Sequence, residues 1–152
     1  MSYWLLKTEP TSFSIDDLAR SPRKTTSWDG VRNFQARNMI RDQMKRGDQA
    51  FLYHSSCEIP GIVGIVRIAK EGYPDPTAFE RGHHHFDPAS KRDAPRWFMV
   101  DVTLERRLSR VITLEELRGH SALRGLTLLR PGNRLSVMPV DAAHWKLILS
   151  LE

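Results

Sequence analysis

Three short stretches hold the side chains most able to do chemistry. In YWLLKTEP, Lys7, Thr8 and Glu9 could form a hydrolytic set, the Thr8 hydroxyl attacking an amide after activation by the amine while the carboxylate shuttles the proton. In a regular strand Lys7 and Glu9 share one side and Thr8 faces the other, so the set converges only if Pro10 bends the chain early. A strand end with a surface ion pair is the plainer expectation. In YHSSCEIP, His54 and Cys57 pair a base with a thiol, but no third orienting group accompanies them, and a half-buried structural thiol fits better. His83, His84 and His85 suggest a metal. Consecutive side chains of an extended chain alternate in direction, so at most two could face one ion, and a solvated loop is expected with neither metal nor cofactor. Gly61 and Gly64 of PGIVGIV match no phosphate-cradling glycine pattern and read as relief of crowding at a bend or beside a ligand.

The elements that must position these residues follow from periodicity. YWLLK, QAFLYH and IVGIVRIA are β-branched or aromatic runs bounded by Pro or Gly, and WFMVDVTLE alternates, with Phe98, Val100, Val102 and Leu104 on one face. RLSVMPV and HWKLILSL read as two closing strands, the first an edge or bulged strand because of Pro139. Ser14 with Asp17 and Thr113 with Glu116 carry the spacing of a capping box and start two short helices. A third helix follows WDGVRN, with Ala36, Met39, Ile40 and Met44 as its apolar stripe and Gly47 as its stop. On another side Arg37, Arg41 and Lys45 form a basic stripe, partly neutralised by Asp42 and Asp48. Residues 73–95 carry four prolines and no periodicity, a long irregular loop of the kind that is functional or mobile. Six strands with short flanking helices predict an α+β fold, a small mixed β-barrel, in preference to a layered βαβ arrangement.

A chain of 152 residues with 40% hydrophobic content has the size of one globular domain, residues 1–152. The excess of 23 Lys and Arg over 18 Asp and Glu gives a net charge of +5, with a pI near 9.7, which favours polyanionic partners. MSYWLLKTEP has no basic region ahead of an apolar run, and no window reaches the roughly 18 apolar residues of a membrane helix. A soluble, intracellular, cytoplasmic protein with no membrane partner is expected. The single cysteine agrees with a reducing compartment.

Eight motifs in order, YWLLKTEP, SIDDL, WDGVRNFQARN, GDQAFLYHSS, PGIVGIV, YPDPTAF, FDPASKRDAPRWFMVDV and LRPGNRLSVMPV, resemble the EVE domain. That domain belongs to the PUA-like superfamily, which includes the YTH and ASCH domains, and the resemblance spans Tyr3 to Leu151. It implies a PUA-like barrel that reads a modified base without transforming it, the base being a modified cytosine such as 5-methylcytosine or 5-hydroxymethylcytosine, in DNA ahead of RNA. By similarity to the reader pocket, Lys7, Thr8, Trp28, Asp29, Asn33, His54 and Ser55 surround the base. A flipped base needs a replacement π-surface and polar groups for its edge. Trp28, whose polar flank KTTS argues for partial exposure, would supply the surface; Asp29, Asn33, Ser55 and backbone groups near Gly30 would read the edge. A core tryptophan packing the helix onto the barrel is the competing role. Tyr73, Phe79 and Trp97 are candidates for further aromatic walls. Arg32, Arg37, Arg41 and Lys45, with Lys91, Arg92 and Arg96 of the loop, would hold the flanking phosphates. Two rivals remain: a hydrolase of a modified base or nucleoside using Thr8, Lys7 and Glu9, and a protein-interaction module using the same groove.

Overall fold

The run WLL explains the centre of the molecule. Trp4, Leu5 and Leu6 are buried in succession, which a strand tolerates only when both its faces are covered. In the computed structural model, which describes residues 1–152, they lie in β1 (Tyr3–Thr8). This strand pairs in parallel with β3 (Gln49–His54), Leu5 opposite Phe51, and antiparallel with β6 (Val137–Val140), Leu5 opposite Met138. Beyond β3 come β4 (Gly61–Pro74), β5 (Phe98–Thr113) and β2 (Thr25–Ser27), all antiparallel, giving the order β2-β5-β4-β3-β1-β6. Bulges at four places in the β4–β5 ladder bend these long strands. The six-stranded mixed sheet of the PUA-like fold is therefore present, but the barrel is not closed, because β2 and β6 each pair with one neighbour only.

The six strands differ from those expected in one exchange. HWKLILSL is not a strand but helix α4 (Ala142–Ser150). Trp145 and Ile148, three apart, are its buried residues, and Trp145 stacks between Tyr3 at 4.5 Å and Phe51 at 3.9 Å between ring centroids. The remaining strand is β2, three polar residues that carry no alternating pattern. Pro139 sits exposed in the edge strand β6, the position that tolerates its missing N–H.

Helix α1 (Ile15–Arg20) starts with a complete capping box between Ser14 and Asp17. In α3 (Leu114–Arg118) the Thr113 hydroxyl accepts from the Glu116 N–H, while the Glu116 carboxylate turns to Arg110. Helix α2 (Phe34–Asp42) buries Ala36, Met39 and Ile40 and is capped by Asn33, whose Oδ1 accepts from the Ala36 N–H. It ends at Asp42, before Met44 and Lys45, so Lys45 is not on the stripe of Arg37 and Arg41. Gly47 is not its stop; the Gly47 N–H donates to the Ile68 carbonyl in the turn that enters β3. Asp48 is buried in that turn and accepts from Trp4 Nε1 and the Lys45 N–H, so it neutralises none of the helix cations.

A Cβ on Gly64 would stand 2.5 Å from Ile15 Cδ1, so its absence is what lets α1 lie against β4. A continuous cluster of 33 buried residues joins the sheet to α1, α2, α3 and α4. No helix is long and apolar enough to cross a membrane.

Candidate nucleic-acid interface

A cavity of about 850 Å³ opens at the far end of β1, beside β2. It is lined by Lys7, Thr8, Glu9, Ser12 and Phe13, by Thr26 to Val31, by His83, His84 and His85, and by Ser136. Lys7, Thr8 and Glu9 all line the cavity, and the chain turns after Glu9, where the Ser12 and Phe13 N–H groups both donate to the Glu9 carbonyl. Thr8 Oγ1 donates to the Phe13 carbonyl at 2.8 Å, and burial lowers the pKa of the half-buried Lys7.

Trp28 follows β2, its N–H donating to the Val100 carbonyl. The residue is 8% exposed, more buried than its polar flank suggested, and its ring meets Phe13 edge-to-face at 6.4 Å. The tryptophan is thus both core and cavity wall. Asp29 is exposed at the rim. Gly30 takes a left-handed conformation, φ +77°, and a Cβ there would stand 2.3 Å from the His85 ring. Its N–H donates to Asp75 Oδ2 at 2.9 Å and so is not free to read a base.

Three residues of the expected pocket lie outside the cavity. His54 Nε2 accepts from the Ile15 N–H at 3.1 Å, tying β3 to the start of α1, and burial lowers its pKa. The Ser55 N–H donates to the Thr8 carbonyl at 2.9 Å. Asn33, spent on capping α2, faces a second cleft. The candidate walls Tyr73, Phe79 and Trp97 are also elsewhere. Tyr73 is bonded to Asp101, Phe79 lies under Arg92, and Trp97 donates to Asp87 Oδ2 while stacking on Phe34.

The loop after β4 is solvated along much of its length but tied down at its start. Asp75, 0% exposed, accepts from the Gly30 N–H, from Arg32 Nη1 at 3.0 Å and from both the N–H and hydroxyl of Thr77. Burial pushes its pKa up, but the bonds from Thr77, Gly30 and Arg32 outweigh burial and hold it below the ordinary carboxylate value. Arg32 also donates to the His85 carbonyl from Nε and Nη2. It is therefore committed to the fold rather than open to a phosphate. The histidine loop is the cavity's outer wall, with imidazole centroids 3.9 to 4.8 Å apart. Burial, then His84, lowers the pKa of His85.

Among the remaining expected phosphate ligands, Arg37 donates to the Arg96 carbonyl, Arg41 makes two bonds to Asp42, and Arg96 lies 3.7 Å from Asp87. Lys45, Lys91 and Arg92 are exposed.

A model of the EVE domain matches residues 2–151. The chain belongs to the EVE domain family. Mouse thymocyte nuclear protein 1 is 49% identical over 168 residues, covering 99% of this chain and 74% of that protein. The crystal structure of human THYN1 protein in complex with 5-methylcytosine-containing DNA matches with a TM-score of 0.93 at 45% identity, covering 99% of this chain and 97% of that one. Protein PSPTO5229 from Pseudomonas syringae matches with a TM-score of 0.93 at 46% identity over 99% of both chains. An ASCH protein from Zymomonas mobilis, 11% identical with a TM-score of 0.55, shares the fold.

Sequence reasoning missed Phe13, Ser136 and the histidine loop as parts of this EVE cavity. Phe13 carried a signal: like Trp28 it is an aromatic in a polar run, SFS, just ahead of a helix. Ser136 and the histidines carried none, because what brings them to the cavity is β6 pairing with β1 and the Asp75–Arg32 tie.

Proposed function

We propose that residues 1–152 act as one EVE domain that reads a modified base in DNA, a modified cytosine such as 5-methylcytosine or 5-hydroxymethylcytosine, held out of the helix in the cavity of Trp28. The observation that carries this reading is the cavity itself: two aromatic rings, Trp28 and Phe13, beside polar groups of both hydrogen-bonding senses, Lys7, Ser12, Thr26 and Asp29. That is the composition a single unstacked base requires. The choice of modified cytosine in DNA rests on the human relative's complex. His54, Ser55 and Asn33 act behind the wall as positioning residues. Of the expected cations, Lys45, Lys91 and Arg92 are the ones open to attract phosphates.

The domain binds the base without transforming it. A nucleophilic Thr8 would have to pass its proton to a base, whereas its hydroxyl donates to a backbone carbonyl, which cannot take the proton.

Titration with methylated and unmodified strands at fixed salt tests the reading. A stacked base contributes on the order of 1 to 3 kcal/mol, so Trp28→Ala is expected to weaken binding of the methylated strand roughly five- to 150-fold. Because the ring is also packed, the urea midpoint of the free variant is measured alongside. Normal binding by a folded but destabilised Trp28→Ala protein would move the reader site elsewhere. Product formation from a modified cytidine, abolished by Thr8→Ala, would restore the hydrolase. Affinity for peptide with none for oligonucleotide would favour an interaction module.

A further inference from the structure

The second cleft, about 410 Å³, lies between the start of α2 and the loop that leads into β6. We infer that it is a phosphate groove, holding the DNA backbone next to the base that the first cavity receives; this rests on the reading above. Three observations point there.

The two openings are built on the same chain segments. Residues 28–31 line the first, and Asn33 and Gln35 the second; Ser136 lines the first, and Arg134 and Leu135 the second. A base taken into one cavity remains bonded to its sugar and phosphates, so the adjoining cleft is where that backbone passes.

The charges of the two differ in kind. The first cavity carries the carboxylates of Glu9 and Asp29, which repel phosphate, whereas none of the 11 residues of the second is acidic. Its polar groups include the carboxamides of Asn33 and Gln35 and the guanidiniums of Arg130 and Arg134.

Those two arginines are also uncommitted. Arg41 of α2 and Arg106, Arg107 and Arg110 of β5 each face a carboxylate, as Arg32 does. Arg130 and Arg134 are exposed and share none of these pairings. A guanidinium without a carboxylate partner keeps its full fork of donors for a phosphate.

The test is the salt dependence of DNA binding by the full chain carrying Arg130→Ala with Arg134→Ala. Each phosphate contact contributes about 0.9 to the slope of log K against log[salt], so the double variant is expected to show a slope shallower by about 1.8. Affinity should fall by the same factor for methylated and unmodified strands, leaving their ratio intact, while Arg130→Lys with Arg134→Lys keeps the wild-type slope. An unchanged slope and affinity in a folded double-alanine variant overturns the groove. A wild type that binds DNA with no preference for the methylated strand defeats the reader while a shallower slope still supports the groove, and a wild type with no affinity for DNA defeats both.

Discussion

Asp75 shows how much of the site hangs on one carboxylate. It is fully buried, and its two oxygens hold the Thr77 turn that follows β4, the Gly30 turn after Trp28 and, through Arg32, the histidine loop. Removing one member of a buried pair leaves an uncompensated charge, so Asp75→Ala is expected to lower stability by about 3 kcal/mol, read as a shift in urea midpoint. Because both the Trp28 wall and the histidine wall hang on it, binding of the methylated strand should fall as well, even in molecules that remain folded. None of this is visible in YPDPTAF, where an aspartate between prolines reads as a turn. Its partner, Arg32, is 43 positions away and looks in sequence like Arg37 or Arg41. Charge in a sequence has no address, and so the expected phosphate ligands included Arg32, Arg37, Arg41 and Arg96, which the fold pairs internally, and not the exposed Arg130 and Arg134. Trp28, Asp29, Lys7 and Thr8 were legible as cavity residues because their family motifs are local; Phe13 and the histidines needed the third dimension.

Among the elements, the capped helices, the long strands and the edge strand β6 were legible, and the short strand β2 and helix α4 were not. Ser14 and Thr113 announce α1 and α3 through spacing alone. HWKLILSL holds five apolar residues among eight with no Gly or Pro, which suits a short strand as well as a helix. The aromatic rings of β1 and β3 decide the matter, since Trp145 fits between Tyr3 and Phe51 when Ile148 is buried one turn further along α4. Trp145→Ala empties that stack and is expected to cost about 3 to 5 kcal/mol in a urea melt. The change lies outside the cavity lining, so a folded Trp145→Ala protein should keep its preference for the methylated strand. Loss of that preference with an unchanged melt would contradict this division of labour.

Across the whole molecule, acid acts twice and in one direction. Burial holds His54 and His85 below their ordinary 6.5, so the unfolded chain takes up protons first as pH falls. Their contribution is complete above about 6.5 and declines as pH drops toward the lower folded values. The carboxylates act in a more acidic window. The Arg106 guanidinium, then the Ser109 N–H, brings Glu152 from 4.5 to about 2, and Asp75 and Asp17 are also held below their ordinary 3.8. What they contribute is present above those ordinary values and is lost as pH falls toward the folded ones. Urea midpoints between pH 7.5 and 3 should therefore fall in two steps, and His54→Gln, which has no titrating ring, should flatten the first. A midpoint that rises from pH 7 to pH 5.5 would reverse the sign assigned to the histidines. The seating of β1 also has a consequence during synthesis. The earliest of the six strands lies inside the sheet, with Tyr3 paired to Gln49 on one side and to Val140 on the other. Its second row of N–H and C=O groups has no native partner until residues 137–140 have left the ribosome, so the sheet is completed only after nearly all of the domain has been made. Folding of such long-range pairings is slow, and an apolar strand with an open edge is what chaperones capture. Of the six strands, the earliest in the chain is the one that waits longest for its second partner.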